Sequence, residues 1–125
     1  MLVTGGAGSI GSEIAKQVAS YGPSKLIVLD QAESPLHNLS LELLGLYPDI
    51  DFEFTICDVV NRNRLRVLFD TFKIDIVYHA AAYKHVPLME NNPSEAILTN
   101  IYGTKNLADI AAKHGVGYFV MVSTD

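Results

Sequence analysis

Thr4-Gly5-Gly6-Ala7-Gly8-Ser9-Ile10-Gly11 joins a short apolar strand, Met1 to Thr4, to a run in which Ile10, Ile14, Val18 and Ala19 recur at helical spacing. Gly5, Gly8 and Gly11 carry the spacing of a dinucleotide-binding loop. The first glycine makes the tight turn, the second lets the backbone approach a pyrophosphate, and the third lets helix and strand pack closely. The helix start offers unpaired amides and the positive end of its dipole to phosphate oxygens. Gly5, Gly8, Ser9, Ile10 and Gly11 are therefore the candidate phosphate contacts. A glycine-rich turn without a ligand is the plain alternative. The strand–turn–helix context, with an acid nineteen residues after Gly11, argues against it. No Gly-Lys-Ser/Thr follows, which excludes a mononucleotide P-loop.

That acid is Asp30, at the end of the continuous apolar strand Lys25 to Leu29. A carboxylate there can accept hydrogen bonds from both adenosine ribose hydroxyls of NAD, whereas a 2′-phosphate would want a cation. From Leu26 to Asn61 the chain has no Lys or Arg, while Asp30, Glu33, Glu42, Asp49, Asp51, Glu53 and Asp58 all fall there. Repulsion disfavours the extra phosphate, and NAD is the expected cofactor.

Outward from the loop, the hydrophobic period keeps switching between about two and 3.6. Ser34-Pro35 predicts the start of a second helix, with Pro at its first position and leucines 36, 39, 43 and 44 on one face. Asp51 to Ile56 reads as a third strand, and Asn61 caps a third helix carrying Leu65, Leu68 and Phe69. Asp58 and Val59, between them, are placed to meet the adenine, with a helix-entry carboxylate as the alternative for Asp58. Cys57 reads as a packed core thiol. Ile74 to Ala80 is a fourth strand. Asn92-Pro93-Ser94-Glu95 opens the longest helix, Gly115 ends it, and Tyr118 to Ser123 is a fifth strand. The alternation predicts an α/β fold: a Rossmann-type doubly wound parallel sheet of five strands in the order 3-2-1-4-5, with right-handed crossovers. Both ends look cut. Residues 1–125 thus read as one NAD-binding Rossmann domain, a fragment of a longer protein truncated before its substrate-binding half.

Composition removes other classes. With 14 Asp+Glu against 9 Lys+Arg and no dense basic patch, nucleic acid has no electrostatic footing as a partner. No apolar run approaches the ~20 residues of a membrane span, so no membrane contact is expected of these residues. One cysteine makes no internal disulfide, the four histidines show no metal-ligand spacing, and a reducing, cytoplasmic compartment fits. Tyr21-Gly22-Pro23-Ser24-Lys25 matches the Tyr-x-x-x-Lys pair of many dehydrogenases, but it breaks at Gly-Pro and joins helix to strand at the edge opposite the loop. It reads as a turn.

The glycine loop, Asp58-Val59, His79-Ala80-Ala81-Ala82 and Asn100 together resemble the extended short-chain dehydrogenase/reductases that act on nucleotide sugars. Lys84-His85-Val86-Pro87-Leu88-Met89-Glu90, Asn92-Pro93, Thr99-Asn100-Ile101-Tyr102-Gly103-Thr104 and Ser123-Thr124-Asp125 resemble, more narrowly, the polysaccharide-biosynthesis (CapD-like) branch. That branch includes UDP-N-acetylglucosamine 4,6-dehydratases. The resemblance implies that Ala80 and Ala81 line the cofactor near its nicotinamide-side ribose, and that Asn100 positions the cofactor or a catalytic water. His79 is either a ligand contact or a buried, hydrogen-bonded core histidine. Gly103 could simply relieve crowding between helices. Lys84 and His85 become candidate contacts for the substrate's sugar or phosphates, a solvated surface pair being the alternative.

The resemblance also implies chemistry. Thr124 would hydrogen-bond the sugar 4-hydroxyl during oxidation, and Asp125 would protonate the departing C6 hydroxyl. Hydride passes from C4 to NAD⁺, water is lost across C5–C6, and hydride returns to C6; oxidation at C4 acidifies the C5 proton, so one cofactor serves an elimination. The expected function is thus the NAD-binding portion of a nucleotide-sugar 4,6-dehydratase in surface polysaccharide or glycan biosynthesis, inactive as 125 residues alone. A nucleotide-sugar 4-epimerase or reductase on the same scaffold is the first rival, and a non-catalytic NAD-sensing module the second. The family pattern leaves a homo-oligomer open, and also a tether of the whole protein to the inner face of the membrane.

Overall fold

The structure is a computed structural model and describes residues 1–80 and 93–122, with side chains in the last helix described from Tyr102 onward. Among the described residues, five strands, β1 (Leu2–Thr4), β2 (Lys25–Asp30), β3 (Asp51–Ile56), β4 (Ile76–His79) and β5 (Tyr118–Met121), alternate with four helices. These are α1 (Ser9–Ser20), α2 (Glu33–Leu46), α3 (Arg62–Thr71) and α4 (Pro93–Lys113). All strand pairs are parallel, and the sheet order is β3-β2-β1-β4-β5, as the alternation predicts.

Strand pleat divides the core in two. Val3, Leu26 and Val28 face one way and pack with Ala15, Val18 and Ala19 of α1 and Leu36, Leu39 and Leu43 of α2. Leu2, Ile27, Leu29 and Val77 face the other way and meet Leu65, Leu68 and Phe69 of α3 and Leu107, Ile110 and Ala111 of α4. The central strands are apolar at successive positions because both of their faces are covered.

Element ends carry small corrections. α2 begins at Glu33 with Ala32 in the cap position, so Pro35 is its third residue and not its first. Proline is tolerated there because amides of the first turn have no intrahelical acceptor to lose. Leu44 leaves the buried stripe and is exposed, while Leu36, Leu39 and Leu43 stay inside. β4 starts at Ile76, two residues later than the apolar run suggests, although Ile74 is buried on the way in. The cap at Asn61 forms as expected, its side chain accepting from the Arg64 amide at 3.2 Å. Gly115, with φ 72°, ends α4, and the Val116 amide returns to the Ala111 carbonyl at 3.1 Å. Tyr21 follows the last residue of α1 and is exposed, and Gly22 takes φ 71°, so the Tyr-x-x-x-Lys match is a turn.

Candidate functional site

In a parallel sheet, ligands gather at the carboxyl edge where strand order reverses direction. Here β1 has β2 on one side and β4 on the other, with Thr4 in register with both Leu29 and His79. Connections therefore run to opposite faces on either side of Thr4 and His79, and the crevice between them is the candidate site.

The glycine loop leaves β1 at this point. Gly5 adopts φ 65°, a left-handed conformation that side chains disfavour. A Cβ on Gly11 would sit 1.8 Å from the Gly5 carbonyl oxygen, and one on Gly6 would sit 2.2 Å from Cγ1 of Val28. Gly11 thus lets α1 press onto the turn, and Gly6 lets the turn press onto β2. The Gly8 amide closes the turn on the Gly5 carbonyl at 3.2 Å, and Gly8 in turn caps α1 without a side-chain bond, its carbonyl accepting from Ser12 at 2.8 Å. The amides of Ser9, Ile10 and Gly11 form the first turn, where the helix itself supplies no acceptor. Ile10 is exposed beside them instead of joining the Val18 stripe. An open set of amides at a helix N-terminus suits a phosphate group.

Asp30 closes β2 and is buried. Its Oδ2 accepts from the Ala7 amide and its Oδ1 from the Ala32 amide, each at 2.9 Å. Two of the roughly four acceptor positions of the carboxylate are thereby used, and the rest remain for hydroxyl donors. Cys57 is buried, its amide bonded to the Asp30 carbonyl at 3.0 Å, and burial pushes its thiol pKa up; it is a core thiol. Oδ1 of Asp58 accepts from the Val60 amide at 3.1 Å, which shapes the entry to α3. Val59 is half-buried and lies where a Cβ on Gly103 would come within 2.6 Å of its Cγ2, so Gly103 is what allows α4 to cross this loop closely. Asn106 fastens the same crossing, donating from Nδ2 to the Val60 carbonyl at 3.2 Å.

His79 closes β4 with its ring buried. Nδ1 lies 2.6 Å from Oγ1 of Thr4 and Nε2 lies 3.0 Å from Oγ1 of Thr104. Burial lowers its pKa to about 4, so the ring is neutral near pH 7. Of the two alternatives for His79, the hydrogen-bonded core histidine is the one present. Ala80 is buried at the strand end, and its amide donates to the Thr4 carbonyl at 3.2 Å.

The structure brings Gly5, Gly8, Ser9, Ile10, Gly11 and Asp30 to one edge, with Asp58, Val59 and Ala80 along it. Ala81, Lys84, His85, Thr124 and Asp125 lie outside the described residues, and so does the side chain of Asn100 within α4. Thr4 and Thr104 stand inside the quoted motifs without a role of their own, and Asn106 lies outside them. A buried polar residue at a strand end could have pointed to the role of Thr4, and packing alone reveals the contacts of Thr104 and Asn106. Among the described residues, no cluster of three His, Cys, Asp or Glu side chains could hold a metal ion, and no helix is long and apolar enough to cross a membrane.

The family model for polysaccharide biosynthesis proteins matches residues 1–125. The chain belongs to this family. The capsular polysaccharide biosynthesis protein CapD of Staphylococcus aureus is 50% identical over 126 residues, covering 100% of this chain and 21% of that protein. A UDP-N-acetylglucosamine 4,6-dehydratase (inverting) of Campylobacter jejuni subsp. jejuni is 36% identical, covering 100% of this chain and 36% of that enzyme. A crystal structure of UDP-glucose-4-epimerase from Stenotrophomonas maltophila, with bound NAD and formylated UDP-arabinopyranose, superposes with a TM-score of 0.86 at 28% identity. It covers 98% of this chain and 36% of that one. The chain thus spans about a fifth to just over a third of the length of these relatives and neighbours.

Proposed function

We propose that these residues are the NAD-binding portion of a nucleotide-sugar 4,6-dehydratase that acts on a substrate of the UDP-N-acetylglucosamine type and serves surface polysaccharide biosynthesis. One observation carries the cofactor: the buried carboxylate of Asp30, held against the loop by the Ala7 amide, with acceptor capacity left for ribose hydroxyls. A 2′-phosphate in the same position would meet that charge with no base in the adjoining stretch from Leu26 to Asn61.

In this reading the amides of Ser9, Ile10 and Gly11 take the pyrophosphate, Asp58 and Val59 border the adenine, and Ala80, Ala81 and Asn100 border the nicotinamide end. NAD held there would supply the hydride acceptor and donor for oxidation at C4 of the sugar and reduction at C6. Thr124 hydrogen-bonds the 4-hydroxyl, Asp125 protonates the leaving C6 hydroxyl, and Lys84 and His85 hold the sugar or its phosphates. Protonation of a leaving group near neutral pH requires an acid whose pKa is raised toward that pH. The remainder of a longer chain would supply the rest of the sugar site, so residues 1–125 alone turn nothing over. The reaction belongs to the cytoplasm, where nucleotide sugars and NAD are found.

Dehydration is favoured by 36% identity along the whole chain to the Campylobacter dehydratase. The 4-epimerase reading draws on the superposition with the Stenotrophomonas enzyme. Mass analysis of UDP-N-acetylglucosamine after incubation with the full-length protein separates them. The dehydratase product is lighter by one water, and a 4-epimer has unchanged mass.

A further inference from the structure

Among the described residues, the buried polar or charged side chains are Thr4, Asp30 and His79. All three close strands at the carboxyl edge. A core that needed only to be filled would carry apolar residues here, as the neighbouring strand positions do. Polar groups are retained in such places when they fix a geometry, because a buried polar group left unpaired is costly.

Thr4 and His79 face each other across the β1–β4 pair, at the switch point of the sheet. The imidazole then bridges two hydroxyls, Thr4 at 2.6 Å on Nδ1 and Thr104 at 3.0 Å on Nε2. A neutral imidazole has one donor and one acceptor nitrogen, and a hydroxyl can serve either. Each tautomer therefore completes the chain without stranding a proton. Main-chain bonds run alongside: the Ala80 amide to the Thr4 carbonyl at 3.2 Å, and the Val122 amide to the His79 carbonyl at 3.0 Å. Thr4 directly precedes Gly5, whose positive φ launches the phosphate loop. A displacement of α4 at Thr104 thus pulls, through two hydrogen bonds, on the residue that anchors the loop.

We propose that His79 and Thr104 are positioning residues for the cofactor site: the ring neither touches the cofactor nor moves a proton, but couples α4 to the glycine loop so that the loop amides are set before pyrophosphate arrives. This rests on the dinucleotide reading above and deepens it. The loop is then held from both sides, by Asp30 through Ala7 and by Thr104 through His79 and Thr4. Presetting the amides removes an ordering cost from binding.

The test uses the full chain with Thr104→Val, which keeps the shape and deletes the hydroxyl, and Thr104→Ser, which restores it. Two quantities are read: hydrogen exchange of the Gly6, Ala7 and Gly8 amides without cofactor, and NAD affinity by calorimetry. Exchange at Ala15 and Val18 in α1 reports global stability. The valine variant is expected to speed exchange at the three loop amides beyond any change at Ala15 and Val18. It should also weaken NAD about three- to tenfold, the effect of one hydrogen bond. Serine should return both to native values. Loop exchange and NAD affinity that stay native in Thr104→Val would overturn the coupling and leave His79 a satisfied core group. Native protein that takes up no NAD would defeat the dinucleotide reading, and the exchange rates would still decide the coupling.

Discussion

Ala7 and Asp30 are joined by a hydrogen bond of 2.9 Å from the loop amide to Oδ2, so the residue that ends β2 also holds the glycine loop in shape. Oδ1 of the same carboxylate accepts from Ala32 at the start of α2, again at 2.9 Å. One buried acid thus ties two connections of the carboxyl edge together.

Asp30→Ala should therefore weaken NAD at least tenfold without raising NADP affinity to the native NAD level. Removal of the charge relieves repulsion of a 2′-phosphate, but the Ala7 amide loses its acceptor, a cost of about 1–3 kcal/mol if water does not reach it. Calorimetric affinities for both dinucleotides check this. Native protein that binds NADP tighter than NAD would contradict the role given to Asp30.

Two glycine substitutions should move stability in opposite directions. Gly11→Ala drives a methyl group into the Gly5 carbonyl, 1.8 Å from the position its Cβ must take, and backbone has to shift. A loss of about 3 kcal/mol is expected, together with loss of dinucleotide binding. Gly45, in α2 between Leu44 and Leu46, has nothing within 4 Å of an added Cβ. Gly45→Ala should stabilise by about 0.5–1 kcal/mol through helix propensity and the unfolded chain. Urea midpoints at constant slope measure both.

Two histidines set opposite limbs of the stability–pH curve. His114 has Asp70 at 2.7 Å on Nε2 and the Ile110 carbonyl at 2.9 Å on Nδ1, two acceptors that suit an imidazolium. The Asp70 hydrogen bond, then that of Ile110, raises its pKa above the ordinary 6.5. Its contribution is full below pH 6.5 and is lost as pH rises through the folded value. His79 has a pKa lowered by burial to about 4, so its contribution is full above pH 6.5 and is lost as pH falls toward 4. Melting temperatures across pH should peak near 6.5 from these two groups. Asp70→Asn should flatten the alkaline limb and leave the acid limb in place. An unchanged alkaline limb would show that the Asp70–His114 pair contributes nothing.

Much of this was legible in the chain itself, for identifiable reasons. Strand order and the two-layered core follow from apolar periodicity, because Leu26 to Leu29 must be covered on both faces and only helices can do it. Gly5 and Gly11 were readable because backbone geometry there excludes a side chain. Ends of elements were less readable: Pro35 marks the first turn of α2 without fixing its first residue, and Ile74 is buried although it precedes β4. The Thr4–His79–Thr104 chain was invisible, since it joins residues 75 and 25 positions apart through packing that no local pattern encodes. Likewise, Asn106 reads as an ordinary helix residue until α4 is laid across Val60.

The central claim, dehydration of a nucleotide sugar, is tested most directly by proton NMR of the full-length protein with UDP-N-acetylglucosamine in D₂O. The expected result is a 6-deoxy-4-keto sugar carrying deuterium at C5, because the C5 proton is removed after oxidation at C4 and replaced from solvent. A C4 epimer with no deuterium at C5 would contradict the account and make the protein an epimerase.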